Sequence, residues 1–320
     1  MHHSLSSRQP GPRPRRWILM LALAVCLPVF PALLSAQQPM LIPQPREMQT
    51  RAQSFNVDSD LQIVLLTPIA HKDLFAAEQV QKELKMDTGH VYPIVGQPEP
   101  PQGVPTIIMG RFNQPAMQSL LEAHHLSTEG VGEQGYILDV EPDTIVLAGK
   151  DGDGLFYGAE TLRQLVVPTN GGARILGVQV RDWPAMKFRG TQVDMSRGPV
   201  PKLSYLKKIV RTIAHFKMNQ LYMYMENSYR LQGQPLWGVL SDTLTRSDWN
   251  KLVAYAARYH VEIVPETEAC GHMHKVLRFE EYSGLAERPH GHSLAVQDPH
   301  MLGFLNAMYE QMLPVFPSPI

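Results

Sequence analysis

The order of apolar runs predicts an α/β protein in two parts: an N-terminal α+β domain over residues 37–183, then an incomplete (β/α)8 TIM barrel over 184–320 that holds its first three β/α units. Three observations predict it. With 44% hydrophobic and 18% charged residues, the 320-residue chain has apolar material for about two domains and does not have the composition of a disordered chain. Between Met40 and Asp182, strand-like and helical runs alternate with turn residues between them. From Phe188 the pattern settles into strand, helix, strand, helix, which implies parallel strands joined by right-handed crossovers.

Residues 1–36 are read as a signal peptide for secretion. Arg13, Arg15 and Arg16 precede an apolar run from Trp17 to Leu34 that closes on Leu34-Ser35-Ala36, so cleavage is expected after Ala36. The run approaches the roughly 20 residues that span a bilayer, but Pro28 and Pro31 interrupt it, which disfavours a retained anchor. Cys26 follows Val25, a poor fit for the small residue of a lipid-attachment box. The expected destination is periplasmic or extracellular, with no membrane association after cleavage. Cys270 is then the one remaining cysteine, so no internal disulfide forms and the fold must stand on its core.

In the first domain, Leu61 to Leu66 reads as a strand, and Phe75 to Met86 as a helix with Phe75, Val80 and Leu84 on one face. Thr106 to Met109, Tyr136 to Val140 and Thr144 to Ala148 read as strands, and Leu155 to Val166 as a helix. Asp151-Gly152-Asp153-Gly154 lies between a strand and that helix. A phosphate cradle there would use free helix amides, but the segment lacks a lysine and the full glycine spacing, so a plain strand-to-helix turn is the better reading. In the second part the strands are Phe188 to Met195, Gln220 to Met225 and Val261 to Pro265. The helices are Leu203 to Phe216, Ser247 to Tyr259 with Ser247 and Asp248 at its start, and Asp298 to Phe316. Three units leave a parallel sheet unclosed with an unpaired edge, so the chain is read as a fragment of a longer barrel protein.

The charge balance, 29 basic against 30 acidic residues, gives a net charge of -1 and no field to gather nucleic acid or an anionic membrane. In a (β/α) barrel, functional groups sit at the C-terminal ends of the strands. That rule selects Asp194, Ser196 and Arg197 after the first strand, with Arg189 at its start. It selects Glu226, Asn227, Tyr229 and Arg230 after the second, and Glu266, Glu268, His272 and His274 after the third. Carboxylates, amides, an arginine and aromatics suit a sugar's hydroxyls and ring better than they suit a phosphate.

At these residues a resemblance becomes specific. Val264-Pro265-Glu266-Thr267-Glu268-Ala269-Cys270-Gly271-His272 resembles the I-P-E-x-D-x-P-G-H motif of glycoside hydrolase family 20, the β-N-acetylhexosaminidases. Phe188-Arg189-Gly190 through Asp194-Met195-Ser196-Arg197 resembles that family's R-G-x-x-L-D-x-A-R strand. Leu41-Ile42-Pro43-Gln44-Pro45 and Gly154 to Leu165 are similar to the α/β domain that precedes the barrel in those enzymes. The resemblance implies substrate-assisted retaining hydrolysis of terminal N-acetylhexosamine from a glycan or glycoconjugate, with no metal or other cofactor. In that mechanism the sugar's own acetamide attacks, an aspartate orients it, and the adjacent glutamate protonates the leaving oxygen.

By position, the resemblance assigns sugar hydroxyls to Arg189 and a hydrogen-bonded relay supporting the acid to His272, with Glu268 beside it. The strand-end rule, not the resemblance, places Asp194, Glu226, Asn227 and Glu266 around the substrate, and Trp237, which follows the second strand, is read as a stacking platform. The departures are equally definite. The family's G-G-D-E segment, which carries the acid pair after the fourth strand, does not occur in the 320 residues, so the chain alone is expected to be inactive. Tyr222 to Tyr229 replaces the motif H-x-T-D-D-x-x-W, Glu268 stands at a usual aspartate, and Cys270 at a usual proline.

Two rival readings come from other classes. His272 and His274, His290 and His292, with Glu266 and Glu268, supply ligand types for a metal-dependent hydrolase. A non-catalytic glycan-binding or degenerate fragment is the other, favoured by the missing acid pair. Tyr222 to Met225 are read as barrel packing.

Overall fold

The computed structural model describes residues 39–101, 103–238 and 243–318. The segment read as a signal peptide, residues 1–36, lies outside them. In the first domain the elements are β1 (Glu47–Thr50), β2 (Phe55–Val57), β3 (Gln62–Leu66), α1 (His71–Thr88), β4 (Ile94–Gln97), β5 (Thr106–Arg111), α2 (Pro115–Ala123), β6 (Tyr136–Val140), β7 (Thr144–Gly149), α3 (Gly152–Gln164), β8 (Val166–Thr169), β9 (Gly172–Ile175) and β10 (Val178–Asp182). Seven of the strands form one mixed sheet in the order β1-β10-β6-β7-β5-β3-β4, and β2-β9-β8 form a small second sheet. Strand β3 shows why an unbroken apolar run was needed. Ile63 and Leu65 face α1 and α3, while Val64 and Leu66 face α2, so period-2 alternation buries both faces.

The glycines at the start of α3 answer to packing. Asp151 caps the helix by accepting from Gly154 N at 2.8 Å, and its other oxygen accepts from Gln134 N at 2.8 Å. A Cβ on Gly154 would sit 2.0 Å from Gly135 O. The protein's own carboxylate therefore fills the place that a phosphate would take, in keeping with the plain-turn reading.

The second part holds β11 (Gly190–Asp194), α4 (Leu203–His215), β12 (Gln220–Met225), α5 (Arg246–Arg258), β13 (Glu262–Thr267), α6 (His274–Leu277), α7 (Glu280–Ser283) and α8 (Pro299–Met312). Its three strands are parallel and adjacent, with Gly190, Gln220 and Glu262 level at one end and Asp194, Tyr224 and Glu266 level at the other. Odd-numbered residues Leu221, Met223, Met225 and Ile263 are buried in the same core as Leu206 and Val210 of α4 and Leu252 and Ala256 of α5. Even-numbered residues, polar apart from Gly190 and Val264, form the opposite face.

Two local expectations are corrected. Helix α5 starts at Arg246, capped by Thr245 in a reciprocal box with Asp248, so Ser247 is inside the helix. The four-residue helices α6 and α7 were not foreseen, being too short to show a period. Among the described residues, no helix is long and apolar enough to cross a membrane.

The first domain grips the barrel segment at the N-terminal ends of its strands. Lys217 Nζ, buried, donates to Tyr136 Oη at 2.8 Å and Asp182 Oδ2 at 3.1 Å. His215 Nδ1 lies 2.7 Å from Glu160 Oε2, and His260 Nδ1 lies 2.7 Å from Asp153 Oδ1. These polar links leave the other strand ends free.

Candidate active site

Polar side chains gather at the C-terminal ends of β11, β12 and β13. Asp194 accepts from Ser196 N at 2.8 Å and Arg197 N at 3.2 Å, and its Oδ2 accepts from the Arg197 guanidinium at 2.6 Å. Desolvation pushes Asp194 up, but the Ser196 amide and the Arg197 guanidinium and amide outweigh it and hold the carboxyl below its ordinary value. Arg197 also lies over the Tyr224 ring, 4.9 Å from its centroid. Desolvation, then the neighbouring Glu268 carboxylate, pushes Tyr224 up to about 12, so its hydroxyl stays protonated as a hydrogen-bond donor at neutral pH.

Glu226 pairs with Lys275 Nζ at 3.2 Å, and its backbone N–H donates to Ser196 Oγ at 2.9 Å. Lys275, at the start of α6, also donates to Ser196 O, which ties the loops after β11 and β12 to the segment after β13. Glu266 accepts from Gln192 Nε2. The shelf thus sets the carboxylates Asp194, Glu226, Glu266 and Glu268 against the cations Arg197 and Lys275, with a neutral phenol between them. Such a surface offers both donors and acceptors to hydroxyls and favours no large ion.

Three expected residues stand elsewhere. Arg189 lies at the opposite end of β11, where its guanidinium donates to Lys217 O at 2.7 Å, Met186 O at 2.7 Å, Lys187 O at 3.2 Å and Gln134 Oε1 at 2.9 Å. Its place before the strand puts it in the contact with the first domain, and Arg197, after the strand, is the arginine in the mouth. Trp237 is 1% exposed and packs with Phe304 at a centroid distance of 5.6 Å. It is core and offers no face for stacking. Asn227 is buried at the end of β12, leaving little surface to a ligand.

His272 is exposed on the loop after β13 at φ 54° and makes no hydrogen bond to another described residue, so the expected relay is not assembled among them. Of the other residues expected after β12, Tyr229 is buried and stacks on Trp249 at 6.4 Å. The metal-hydrolase reading loses its geometry as well. His274 and His292 stack at 4.5 Å, His290 faces Arg278 O and Glu280, and no three of these histidines and the mouth carboxylates group around one point among the described residues.

Lys275, Tyr224 and Gln192 were missed as site residues. The signal for Tyr224 and Gln192 was parity, since both share the even-numbered face with Asp194 and Glu266. For Lys275 it was a cation three residues beyond His272, at the C-terminal end of a barrel strand.

A polar shelf at the C-terminal edge of parallel β/α units, following an α/β domain, defines the class: part of a (β/α) barrel, the fold whose functional groups sit at that end of the strands. Comparison with known families narrows it. Residues 38–183 match the model of glycosyl hydrolase family 20, domain 2, and residues 186–320 match that of the glycosyl hydrolase family 20 catalytic domain. The chain belongs to glycosyl hydrolase family 20.

A β-hexosaminidase of Vibrio furnissii is 23% identical over 221 residues, covering 58% of this chain and 36% of that protein. A β-hexosaminidase of Akkermansia muciniphila is 32% identical over 157 residues, covering 43% of this chain and 31% of that protein. The chain spans about a third of the length of the curated relatives it matches. The solved family 20 β-N-acetylhexosaminidase of Streptomyces coelicolor A3(2) superposes with a TM-score of 0.71 at 20% identity, over 87% of this chain and 57% of that one. The family 20 exo-β-N-acetylglucosaminidase of Vibrio harveyi, solved with N-acetylglucosamine, gives 0.69 at 16% identity, over 87% and 45%. These likenesses bear out the fold of an N-terminal domain followed by part of the catalytic barrel.

Proposed function

We propose that this chain is the sugar-recognising part of an exported β-N-acetylhexosaminidase that removes terminal N-acetylhexosamine from glycans by substrate-assisted retaining hydrolysis. The observation that carries the proposal is the gathering of Asp194, Tyr224 and Glu266 at the C-terminal ends of β11, β12 and β13, with Arg197, Glu226 and Glu268 from the loops that follow, in a family 20 barrel segment. Family membership makes the activity that of a glycosidase. The relatives named above act on hexosamine glycosides, which points to the same substrate class here. On this reading Arg197 holds sugar hydroxyls, and Lys275 fixes Glu226 and the Ser196 loop around the ring.

We assign recognition to this chain and not proton transfer, because no Asp-Glu neighbours occur in its 320 residues. That observation also supports a second reading, a sugar-binding module without turnover. Both readings are tested on the purified chain by calorimetric titration with N-acetylglucosamine and N-acetylgalactosamine, alongside an assay with a chromogenic N-acetylhexosaminide. Binding of either sugar without turnover is the expected result. Failure of both to bind would sink the recognition role, whereas turnover matching an intact glycosidase would show that another carboxylate, such as Glu226 or Glu268, serves as the acid.

A further inference from the structure

A second charged cluster lies on the first domain, away from the barrel mouth. Asp139 is on β6, Glu141 is two residues further on, His124 caps the C-terminal end of α2, and Arg51 follows β1. Arg51 donates through Nε at 3.0 Å and through its terminal nitrogen at 2.5 Å, both to Asp139 Oδ1, and the same nitrogen lies 3.5 Å from Glu141 Oε1. Asp139 is fully buried, yet its other oxygen, Oδ2, has no hydrogen-bond partner among the described residues. A buried carboxylate oxygen left bare is costly unless a cation meets it.

The groups facing Oδ2 have the chemistry and the spacing for one. His124 Nδ1 stands 3.7 Å from Asp139 Oδ2 and 3.4 Å from Glu141 Oε2, and neither approach makes a hydrogen bond. The three ligand atoms lie within 4.8 Å of one another. Bonds of about 2.1 Å to a tetrahedral ion set its ligand atoms roughly 3.4 Å apart, so the gap between these atoms matches an ion better than it matches direct contact. Two carboxylates against one guanidinium leave a net negative charge beside the His124 ring. Arg51 on Oδ1 then orients the carboxylate so that Oδ2 is presented, as outer-sphere partners of metal ligands do. His124 is 19% exposed and Glu141 36%, which opens the cluster to solvent on one side.

We propose that His124, Asp139 and Glu141 bind a divalent transition metal of the zinc class, with water completing the coordination. One imidazole and two carboxylates suit zinc and its neighbours better than calcium or magnesium, which take oxygen alone. The ion would pin the end of α2 to the sheet, a structural role independent of the barrel mouth.

The test uses the untagged full chain, stripped with a chelator, dialysed, and titrated with zinc chloride alone. Metal content is read by plasma mass spectrometry and affinity by calorimetry. One zinc per chain is expected, with a zinc-dependent rise in melting temperature. His124→Gln and Glu141→Gln should each weaken binding by more than about 100-fold, beyond what outer-sphere losses produce, and abolish the thermal rise. His272→Ala and His274→Ala should leave both unchanged. Absence of stoichiometric zinc in the parent chain overturns the proposal, as does an ion that survives in a folded His124→Gln chain or leaves with His274→Ala.

Discussion

Replacing Arg189 and Arg197 separately by alanine distinguishes an arginine that holds the fold from one that faces the ligand. Arg189→Ala removes four hydrogen bonds, to Lys217 O, Met186 O, Lys187 O and Gln134 Oε1, and strips a partner from carbonyls in the contact between the two domains. Charge-assisted bonds are worth about 1.5–3 kcal/mol each at best, and water replaces some at this half-exposed site, so a net loss of about 2–4 kcal/mol follows. For a chain of this size that lowers the melting temperature by roughly 5–15 °C. Arg197, 58% exposed, makes one ion pair with Asp194, and its loss should leave the melting temperature nearly unchanged, because exposed pairs are screened by water and salt. Affinity for N-acetylglucosamine should move the other way, falling about tenfold or more in Arg197→Ala, as expected for a lost charged hydrogen bond, and staying within about twofold in Arg189→Ala. Calorimetric titration and thermal melts of the two variants provide the check. An Arg189→Ala chain that melts like its parent but no longer binds the sugar would refute the reasoning.

Three further outcomes follow from the same structure. The His260 ring hydrogen-bonded to Asp153, with Lys72 beside it, holds Asp153 well below its ordinary value of 3.8. The stabilisation is therefore complete above about pH 4 and is lost as pH falls toward the depressed folded value, so acid melting curves should be shallower for Asp153→Asn than for the parent. Trp237→Ala should cost about 3–5 kcal/mol in urea unfolding through the cavity it opens, and sugar should not perturb the fluorescence of Trp237, which a stacking platform would require. Gly154→Ala should destabilise by about 1–3 kcal/mol in the same assay, because the new Cβ meets backbone that cannot move aside.

Legibility in the sequence tracked physical regularity. Strand β12 was readable to the residue, since Gln220 to Met225 is an apolar and aromatic run bounded by polar residues. Strand β13 runs on past Pro265 to Thr267. Pro265 lacks an N–H, but β13 is at the edge of the described three-stranded sheet, where a proline costs no ladder bond if that N–H would point away from β12. Helix α1 begins at His71, four residues before its apolar face starts, because Asp73 reaches back to Ala70 N at 3.3 Å and closes the first turn. In the site, the strand-end rule found Asp194, Glu226, Glu266 and Glu268. It could not reveal that Trp237 turns inward onto Phe304, since an aromatic after a strand looks the same in sequence whether it faces solvent or core.

The case of the two arginines has a geometric origin. Both flank the same short strand, and a motif comparison sees them as members of one conserved-looking string of letters. A strand rises about 3.3 Å per residue, so the backbone from Arg189 to Asp194 spans roughly 16 Å, further than one monosaccharide reaches. The two ends of β11 consequently serve different neighbours. The N-terminal end meets the first domain through Arg189, Lys217 and Gln134, and the C-terminal end meets open solvent through Asp194 and Arg197. Because the gripping contacts are confined to one end, side chains at the other can change without loosening the joint. That separation explains how Met225 and Glu226, at the C-terminal end of β12, can stand where the family motif has its two aspartates while the strands keep their parallel register.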